Sequence, residues 1–233
     1  MFGSSPLIVN RWSRLRLTGA RQFARLMAAT LFPPRCCLCR FEGASLDLDL
    51  CGYCRADLPW NGLRSAGELF AFRFEYPVDD LIRRLKYQGA LANARVLGVL
   101  LAQAACECDA PLPRLLVPVP LHIARLRERG FNQAAALARY AGRMLEIPCA
   151  NRAVRRTRNT PSQTSLDRAE RHRNVREAFA VGGRRALRRL LEAGHVAIVD
   201  DVVTTGSTMS ELRRILLAAG VRQVDVWAVA RAL

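Results

Sequence analysis

The feature that most constrains this chain is an apolar run that ends in two adjacent carboxylates and a loop of small hydroxyl residues. Residues 196–199 are apolar, Asp200 and Asp201 follow, and the loop 204–208 reads Thr-Thr-Gly-Ser-Thr. A short run of this kind is typical of a strand buried on both faces of a parallel sheet. With a helix predicted from Ser207 onward, the pattern indicates a strand–loop–helix unit at the carboxyl edge of the sheet, where open α/β proteins bind ligands.

The residue types of this unit are suited to a phosphorylated sugar. The start of a helix presents unpaired backbone N–H groups to a phosphate, and Gly206 allows close approach of the backbone. Further hydrogen bonds come from the hydroxyl groups of Thr204, Thr205, Ser207 and Thr208. Because Asp200 and Asp201 would repel a phosphate, we expect both to accept hydrogen bonds from sugar hydroxyl groups. The alternative is an acidic N-cap on an ordinary crossover helix.

Strand and helix patterns alternate along much of the chain. We predict strands at 69–74, 115–119, 195–199 and 221–230, and helices at 79–87, 91–106, 132–145 and 207–219. This alternation implies crossover connections and a mainly parallel sheet.

The segment 155–176 interrupts this alternation, because it is polar and contains Pro161. A connection of this length is usually functional or disordered. We interpret it as a mobile flap that faces a phosphate through Arg155, Arg156 and Arg158, with plain disorder as the alternative.

Two Cys-x-x-Cys pairs stand near the N-terminus. Cys36 and Cys39 are separated from Cys51 and Cys54 by eleven residues. Four thiolates in two such pairs are typical of a structural zinc ion, which prefers tetrahedral sulfur ligands and leaves no open coordination position. The alternative is a set of free core cysteines or a redox pair. The neighbouring Cys37 is interpreted as a bystander.

These patterns divide the 233 residues into four predicted parts. The parts are a basic helix at 1–32, a zinc ribbon at 33–60, a connector at 61–76 and an α/β domain at 77–233.

The charge and the hydropathy of the chain indicate which kind of partner and which cellular compartment to expect. Basic side chains number 36 and acidic ones 20, which gives a net charge of +16, and Lys86 is the only lysine. Such an excess indicates an anionic partner. No apolar run reaches the ~18 residues that span a bilayer, and arginines interrupt the N-terminal apolar residues. We therefore expect no transmembrane segment, no signal peptide and a cytoplasmic location.

Several motifs together suggest a family. Residues 196–208 resemble the signature with which type I phosphoribosyltransferases bind phosphoribosyl diphosphate. The four-cysteine ribbon is followed by LKYQG at 85–89, VPVPL at 117–121 and RGFNQ at 129–133. This combination resembles the ComF family from about residue 30 to the end of the chain.

The resemblance implies a type I phosphoribosyltransferase-like fold, α/β with a parallel sheet flanked by helices and a small N-terminal four-cysteine zinc ribbon. It implies a structural zinc ion, and magnesium together with phosphoribosyl diphosphate or a related phosphorylated ribose. Asp200 and Asp201 would act at the ribose. Arg129 would stabilise the departing diphosphate, although a solvated turn arginine is the alternative interpretation of that residue.

Members of the ComF family are linked to natural transformation and to imported single-stranded DNA. The resemblance therefore implies a role in DNA uptake, with single-stranded DNA and DNA-uptake or recombination proteins as candidate partners. Two functions stay open. One is a magnesium-dependent phosphoribosyltransferase with an unidentified acceptor, and the other is a non-catalytic, nucleotide-sensing factor that binds single-stranded DNA and retains the transferase fold.

Overall fold

The structure is a computed structural model that describes residue 27 and residues 35–41, 48–61, 64–65, 67–158 and 178–232. Contacts divide the chain into two compact units, Met1–Ala56 and Asp57–Leu233. Apart from Met27, which is helical, the predicted helix at 1–32 lies outside the described residues, and so does most of the predicted flap.

The described part of the first unit is organised around its cysteines. The backbone N–H of Cys36 donates to the carbonyl of Phe41 at 2.9 Å, which closes a tight loop in which Arg40 has a positive φ of 65°. The N–H of Cys37 donates to the carbonyl of Asp49 at 2.8 Å and so joins the two cysteine-bearing segments. A short helix, α1 (Gly52–Ala56), follows the second segment.

The second unit contains a mainly parallel sheet and a small antiparallel ribbon. The strands are β1 (Arg64–Ser65), β2 (Glu68–Arg73), β3 (Leu115–Pro118), β4 (Val154–Arg156), β5 (Phe179–Val181), β6 (His195–Val203) and β7 (Gln223–Arg231). In the sheet the order is β1-β2-β7-β6-β3, in which β1 is antiparallel to β2 and the other neighbours are parallel. Strands β4 and β5 pair with each other.

Helices connect these strands and cover the sheet. They are α2 (Val78–Gln88), α3 (Leu91–Cys106), α4 (Ile123–Arg129), α5 (Gln133–Leu145), α6 (Arg184–Ala193) and α7 (Ser207–Ala218). The residues between the two ends of β7 are all buried, as expected for a strand covered on both faces. The predicted architecture of a parallel sheet flanked by helices is confirmed. No helix in the described ranges is both long and apolar enough to cross a bilayer.

Close packing of α3 on α5 depends on a glycine. A Cβ atom at Gly98 would lie 2.8 Å from the carbonyl oxygen of Leu137 and 2.8 Å from Cβ of Tyr140. The absence of a side chain at Gly98 therefore lets the two helix backbones approach each other. Helix α5 in turn packs on β3 and β6, which places its N-terminus beside the carboxyl edge of the sheet.

The predicted strand at 69–74 corresponds to β2 (Glu68–Arg73), the first parallel strand of the sheet. Strand β2 lies in the segment predicted as a connector, and it pairs in parallel with β7 along its length. Trp60, assigned to the ribbon from the sequence, forms a bridge with Phe72 of β2. Residues 57–60 consequently belong to the second unit.

Candidate functional site

Asp200 and Asp201 lie within strand β6, which continues to Val203, four residues beyond its predicted end. Pairing with β7 extends to the end of the strand, where Val203 is opposite Arg231. Successive side chains of a strand point to opposite faces. The two neighbouring carboxylates therefore enter different surroundings.

A small cavity of about 70 Å³ opens at the end of β6. It has room for several water-sized groups, which is enough for a phosphate. The residues that line it are Asp200, Val202, Val203, Thr204, Thr205, Gly206, Ser207, Thr208 and Met209. The structure thus brings together every predicted ligand-binding residue except Asp201.

The wall of the cavity includes the start of helix α7. Gly206 precedes the helix with φ of 75°, and an added Cβ would meet nothing within 4 Å. Its carbonyl accepts the first helical hydrogen bond, from the N–H of Ser210 at 2.8 Å. The preceding N–H groups of α7 have no acceptor within the helix, and no side chain at Gly206 caps them. Thr205 and Ser207 share a hydroxyl hydrogen bond of 2.9 Å beside them.

Asp201 forms a buried ion pair instead of facing the cavity. Its Oδ2 atom lies 2.5 Å from Nζ of Lys86, and the two side chains are 4% and 24% exposed. Burial by itself would raise the pKa of Asp201, but the Lys86 ammonium and a hydrogen bond with the Asp200 side chain together hold that pKa below its usual value. Of the two carboxylates that we expect to accept sugar hydroxyls, only Asp200 lines the cavity.

Asp200 is partly buried at the cavity wall. Its Oδ1 atom accepts a hydrogen bond of 2.9 Å from the backbone N–H of Asp201. Burial raises the pKa of Asp200 well above its usual value, and the negative charge of Asp201 raises it further. Asp200 is therefore the carboxyl group of this pair that retains a proton more readily.

Arg156 contributes positive charge near Asp200, and Arg125 lies electrostatically close to Arg156. Burial lowers the pKa of Arg156, and the nearby guanidinium of Arg125 lowers it further, whereas Asp200 raises it. The Arg156 guanidinium also lies over the ring of Phe179, 5.5 Å from its centroid, within the β4–β5 ribbon. Arg156 was predicted as a flap residue, whereas Arg125 was not singled out because nothing distinguishes it from the many other arginines.

Arg129, a predicted catalytic residue, ends helix α4 and is not among the residues that line the cavity. One of its guanidinium nitrogens donates to Oε1 of Gln133 at 2.7 Å, and its Cζ atom lies 5.7 Å from the centroid of Tyr87. Asn132 links the end of the β3 segment to the start of α5. Its side-chain amide donates to the carbonyl of Val119 at 2.9 Å, and its side-chain oxygen caps α5 by accepting from the N–H of Ala135 at 3.3 Å.

Lys86 is the site residue that sequence reasoning missed. The sequence contained a signal for it, because it is the only lysine of the chain and it lies in the LKYQG motif. Its contact with Asp201 joins helix α2 to strand β6, and no local pattern specifies such a long-range pairing.

The four predicted metal ligands form a separate cluster in the first unit. The sulfur atoms of Cys36, Cys39, Cys51 and Cys54 all lie within 4.8 Å of one another. Those of Cys39 and Cys51 are 3.7 Å apart, close to the about 3.8 Å between ligands of a tetrahedral zinc with Zn–S bonds of about 2.3 Å. The donor set and its spacing fit a structural zinc ion.

Electrostatics of the cluster agree with a need for a cation. Burial opposes ionisation of Cys36, but backbone hydrogen bonds around Cys51, Cys39 and Leu38 lower its pKa to about 6. Burial, followed by the neighbouring thiols, raises the pKa of Cys54. The cluster therefore ionises readily once, and further thiolates require a metal ion that replaces their protons.

Curated relatives share most of this chain. Competence protein F of Haemophilus influenzae is 34% identical over 187 residues, which cover 78% of each chain. DNA utilization protein YhgH of Escherichia coli is 35% identical over 188 residues, again 78% of each. Competence protein ComFC of Streptococcus pneumoniae is 25% identical over 161 residues, which cover 69% of this chain and 66% of that protein.

Two further comparisons are weaker. No protein-family model matches the chain. A solved structure described as the allosteric regulatory enzyme of purine biosynthesis is 22% identical, with a TM-score of 0.33, and covers 57% of this chain and 24% of that one. The assignment rests on the curated relatives, whose identity and coverage show that this chain belongs to the ComF family.

Proposed function

We propose that this chain binds phosphoribosyl diphosphate, together with magnesium, with its 5-phosphate in the cavity beside Asp200. The 5-phosphate would accept hydrogen bonds from the first N–H groups of α7 and from the hydroxyls of the loop. The ribose hydroxyls would donate to Asp200. The observation that carries the proposal is the cavity itself, in which one carboxylate, the hydroxyl loop and the first turn of α7 line a common space.

We further propose that the bound sugar is a phosphoribosyl donor. In such a transfer the bond between C1 of ribose and the diphosphate oxygen breaks, and its electron pair leaves with the diphosphate. The acceptor then forms its bond to C1. Magnesium supplies charge neutralisation of the diphosphate when bound, and Arg156, which is electrostatically close to Asp200 and to Arg125, adds to it.

The test is calorimetric titration of the full chain with phosphoribosyl diphosphate and magnesium. The variant Asp200→Asn is expected to bind at least about tenfold more weakly, because an amide offers a hydroxyl group a weaker acceptor than a carboxylate does. Asp79→Asn is a matched control, because Asp79 also accepts from the N–H of the following aspartate, at 2.7 Å, but lies on helix α2 and does not line the cavity.

The control variant is expected to bind like the unaltered chain. If the unaltered chain shows no binding, or if the two aspartate variants bind equally, the proposed site is wrong. Release of diphosphate in the presence of an acceptor would distinguish a transferase from a protein that only senses the ligand.

Binding of single-stranded DNA is a second candidate function, and helix α6 favours it. Four arginines of this ten-residue helix are exposed, namely Arg184, Arg185, Arg188 and Arg189. Glu192 is the one acidic residue of the helix, and it pairs with Arg188 at 3.2 Å. A row of exposed guanidinium groups is suited to a phosphate backbone, and the relatives named for competence and DNA utilization agree with such a ligand.

A further inference from the structure

The ion pair between Lys86 and Asp201 lies behind the proposed ligand site. Lys86 is in the last turn of α2, where the helix dipole favours a positive charge, and the residue before it, Leu85, is fully buried. Its ammonium lies 2.5 Å from Asp201 Oδ2. Lys86 is not among the residues that line the cavity, so the geometry assigns its charge to Asp201 and not to the ligand.

The composition of the chain makes this lysine informative. It is the only lysine among 36 basic side chains, although arginine serves at every other basic position. An ammonium is a compact point charge, whereas a guanidinium is a wide planar fork that needs several acceptors. An ammonium is therefore a better partner than a guanidinium at a buried position that offers a single carboxylate.

Two adjacent carboxyl groups at a site with little solvent cannot both ionise without compensation. Asp201 is buried, Asp200 is its immediate neighbour, and the N–H of Asp201 donates to Asp200. Among the described residues, the charged groups that act on the pair include Lys86, which meets Asp201 and also lowers the pKa of Asp200, and Arg156, which is electrostatically close to Asp200. The ammonium contacts Asp201 directly, and Asp200 is the carboxyl group that lines the cavity.

We propose that Lys86 is a positioning residue that neutralises Asp201 and thereby leaves Asp200 as the carboxylate that receives the sugar hydroxyls. The inference rests on the proposed function and adds a role for a residue outside the cavity. Lys86 opposes the burial and the Asp201 charge that raise the pKa of Asp200, so without Lys86 that pKa rises further. Asp200 is then a poorer acceptor, although nothing that touches the ligand has changed.

A double-mutant cycle separates this role from direct contact with the ligand. Affinity for phosphoribosyl diphosphate with magnesium is measured for the unaltered full chain, Lys86→Gln, Asp201→Asn and the variant with both changes. Lys86→Gln is expected to weaken binding about tenfold for each unit by which it raises the pKa of Asp200 further above the pH. The double variant is expected to bind more tightly than Lys86→Gln, because the competing carboxyl group is gone.

Arg83→Gln is the matched charge control. Arg83 lies on the same helix, pairs with Asp80 at 2.6 Å and has a side chain that is 71% exposed. Its loss removes one positive charge from α2 without touching Asp201, and binding is expected to change little. If Lys86→Gln and Arg83→Gln lose the same amount of affinity, the inference is wrong, because both losses would then come only from weaker long-range attraction of the ligand.

The pH dependence gives a readout that a purely structural role would not change. The difference in affinity between Lys86→Gln and the unaltered chain is expected to become smaller between pH 7 and pH 9, because alkali ionises both carboxyl groups. If the affinity lost in Lys86→Gln is the same at both pH values, Lys86 acts independently of Asp201. The same conclusion holds if the fold-losses in affinity of the two single variants multiply in the double variant.

Two further results are decisive. If Lys86→Gln fails to fold, the double variant alone tests the inference, because a folded double variant that cannot bind would overturn it. If the unaltered chain does not bind the ligand, the proposed function fails as well. Normal binding by the unaltered chain and by Lys86→Gln would refute this inference only.

Discussion

Asp200 and Asp201 are adjacent residues in opposite electrostatic situations. Lys86 stabilises the ionised form of Asp201, whereas burial and the charge of Asp201 disfavour the ionised form of Asp200. Ionised Asp200 therefore destabilises the folded chain. The charge lies at the wall of the cavity, where a ligand can bind to it. Such an arrangement is common at functional sites, where pKa values are shifted by neighbouring groups.

The two aspartates are expected to have opposite effects on the free energy of unfolding at pH 7. Asp200→Asn removes an unfavourable charge and is expected to stabilise the chain. Asp201→Asn leaves the Lys86 ammonium without its partner and is expected to cost about 3 kcal/mol, the lower end of the range for breaking a buried pair. Urea denaturation of the two variants and of the unaltered chain measures both changes.

The pH dependence of these effects follows from the signs of the shifts. Because the pKa of Asp200 is higher in the folded than in the unfolded chain, its contribution to stability falls as the pH rises above the unfolded value of about 3.9. The advantage of Asp200→Asn should therefore disappear in acid. Asp201 has a lowered pKa, so its stabilisation is present above that value and is lost as the pH falls through the folded pKa. If Asp200→Asn were less stable than the unaltered chain at pH 7, the pKa of Asp200 would not be raised by folding.

At the scale of elements, the cysteine cluster is expected to depend on zinc for its structure. The described part of the first unit has few buried apolar side chains, among them Leu48 and Leu50, so a metal ion would supply much of its folding free energy. Cys36→Ser is expected to lower the zinc content of the purified full chain, measured by elemental analysis. Cys37→Ser is the matched control, because its sulfur is not in the four-sulfur group.

Acid is expected to release the zinc ion, since four thiolates must be protonated as it leaves. Retention of a full equivalent of zinc by Cys36→Ser, or equal loss in both serine variants, would show that the cluster is not the metal site.

Sequence patterns located the long elements better than the short or charged ones. The helix predicted at 91–106 begins and ends at those residues, because its apolar pattern and the turn residues on either side indicate the same boundaries. Strand β6 is longer than predicted, because aspartate is disfavoured in strands and only the pairing with β7 and Lys86 explains Asp200 and Asp201 there. Helix α6 was missed because arginines dominate it and Leu190 is its one buried residue.

At the scale of the whole molecule, the alternation of strands and helices was sufficient to predict a parallel sheet, because few other arrangements bury strands that are apolar on both faces. It also predicted β2, at 69–74, but it did not predict that β2 pairs with β7, since spacing along the chain does not report the order of strands in a sheet. The contact of Lys86 with Asp201 depends on the path of α2 across the fold, and no spacing along the chain reports that path.

The net charge of +16 leads to a prediction about salt. Binding of single-stranded DNA releases counterions, so the logarithm of affinity is expected to fall linearly with the logarithm of salt concentration, with a slope of about −0.7 for each neutralised phosphate. Replacing the four exposed arginines of α6 by glutamine should reduce the slope by about 3 if each one contacts a phosphate. Fluorescence anisotropy of a labelled oligothymidine, titrated between about 50 and 200 mM salt, measures it.

A matched variant separates a specific surface from general attraction. Replacing Arg83, Arg95, Arg139 and Arg143 by glutamine removes the same total charge from α2, α3 and α5, and it should change the slope by less than the α6 variant does. Equal changes would mean that the DNA responds to the net charge of the molecule and that α6 has no special part. No binding by the unaltered chain at the lowest salt concentration would exclude the DNA-binding function, whatever the cavity beside Asp200 binds.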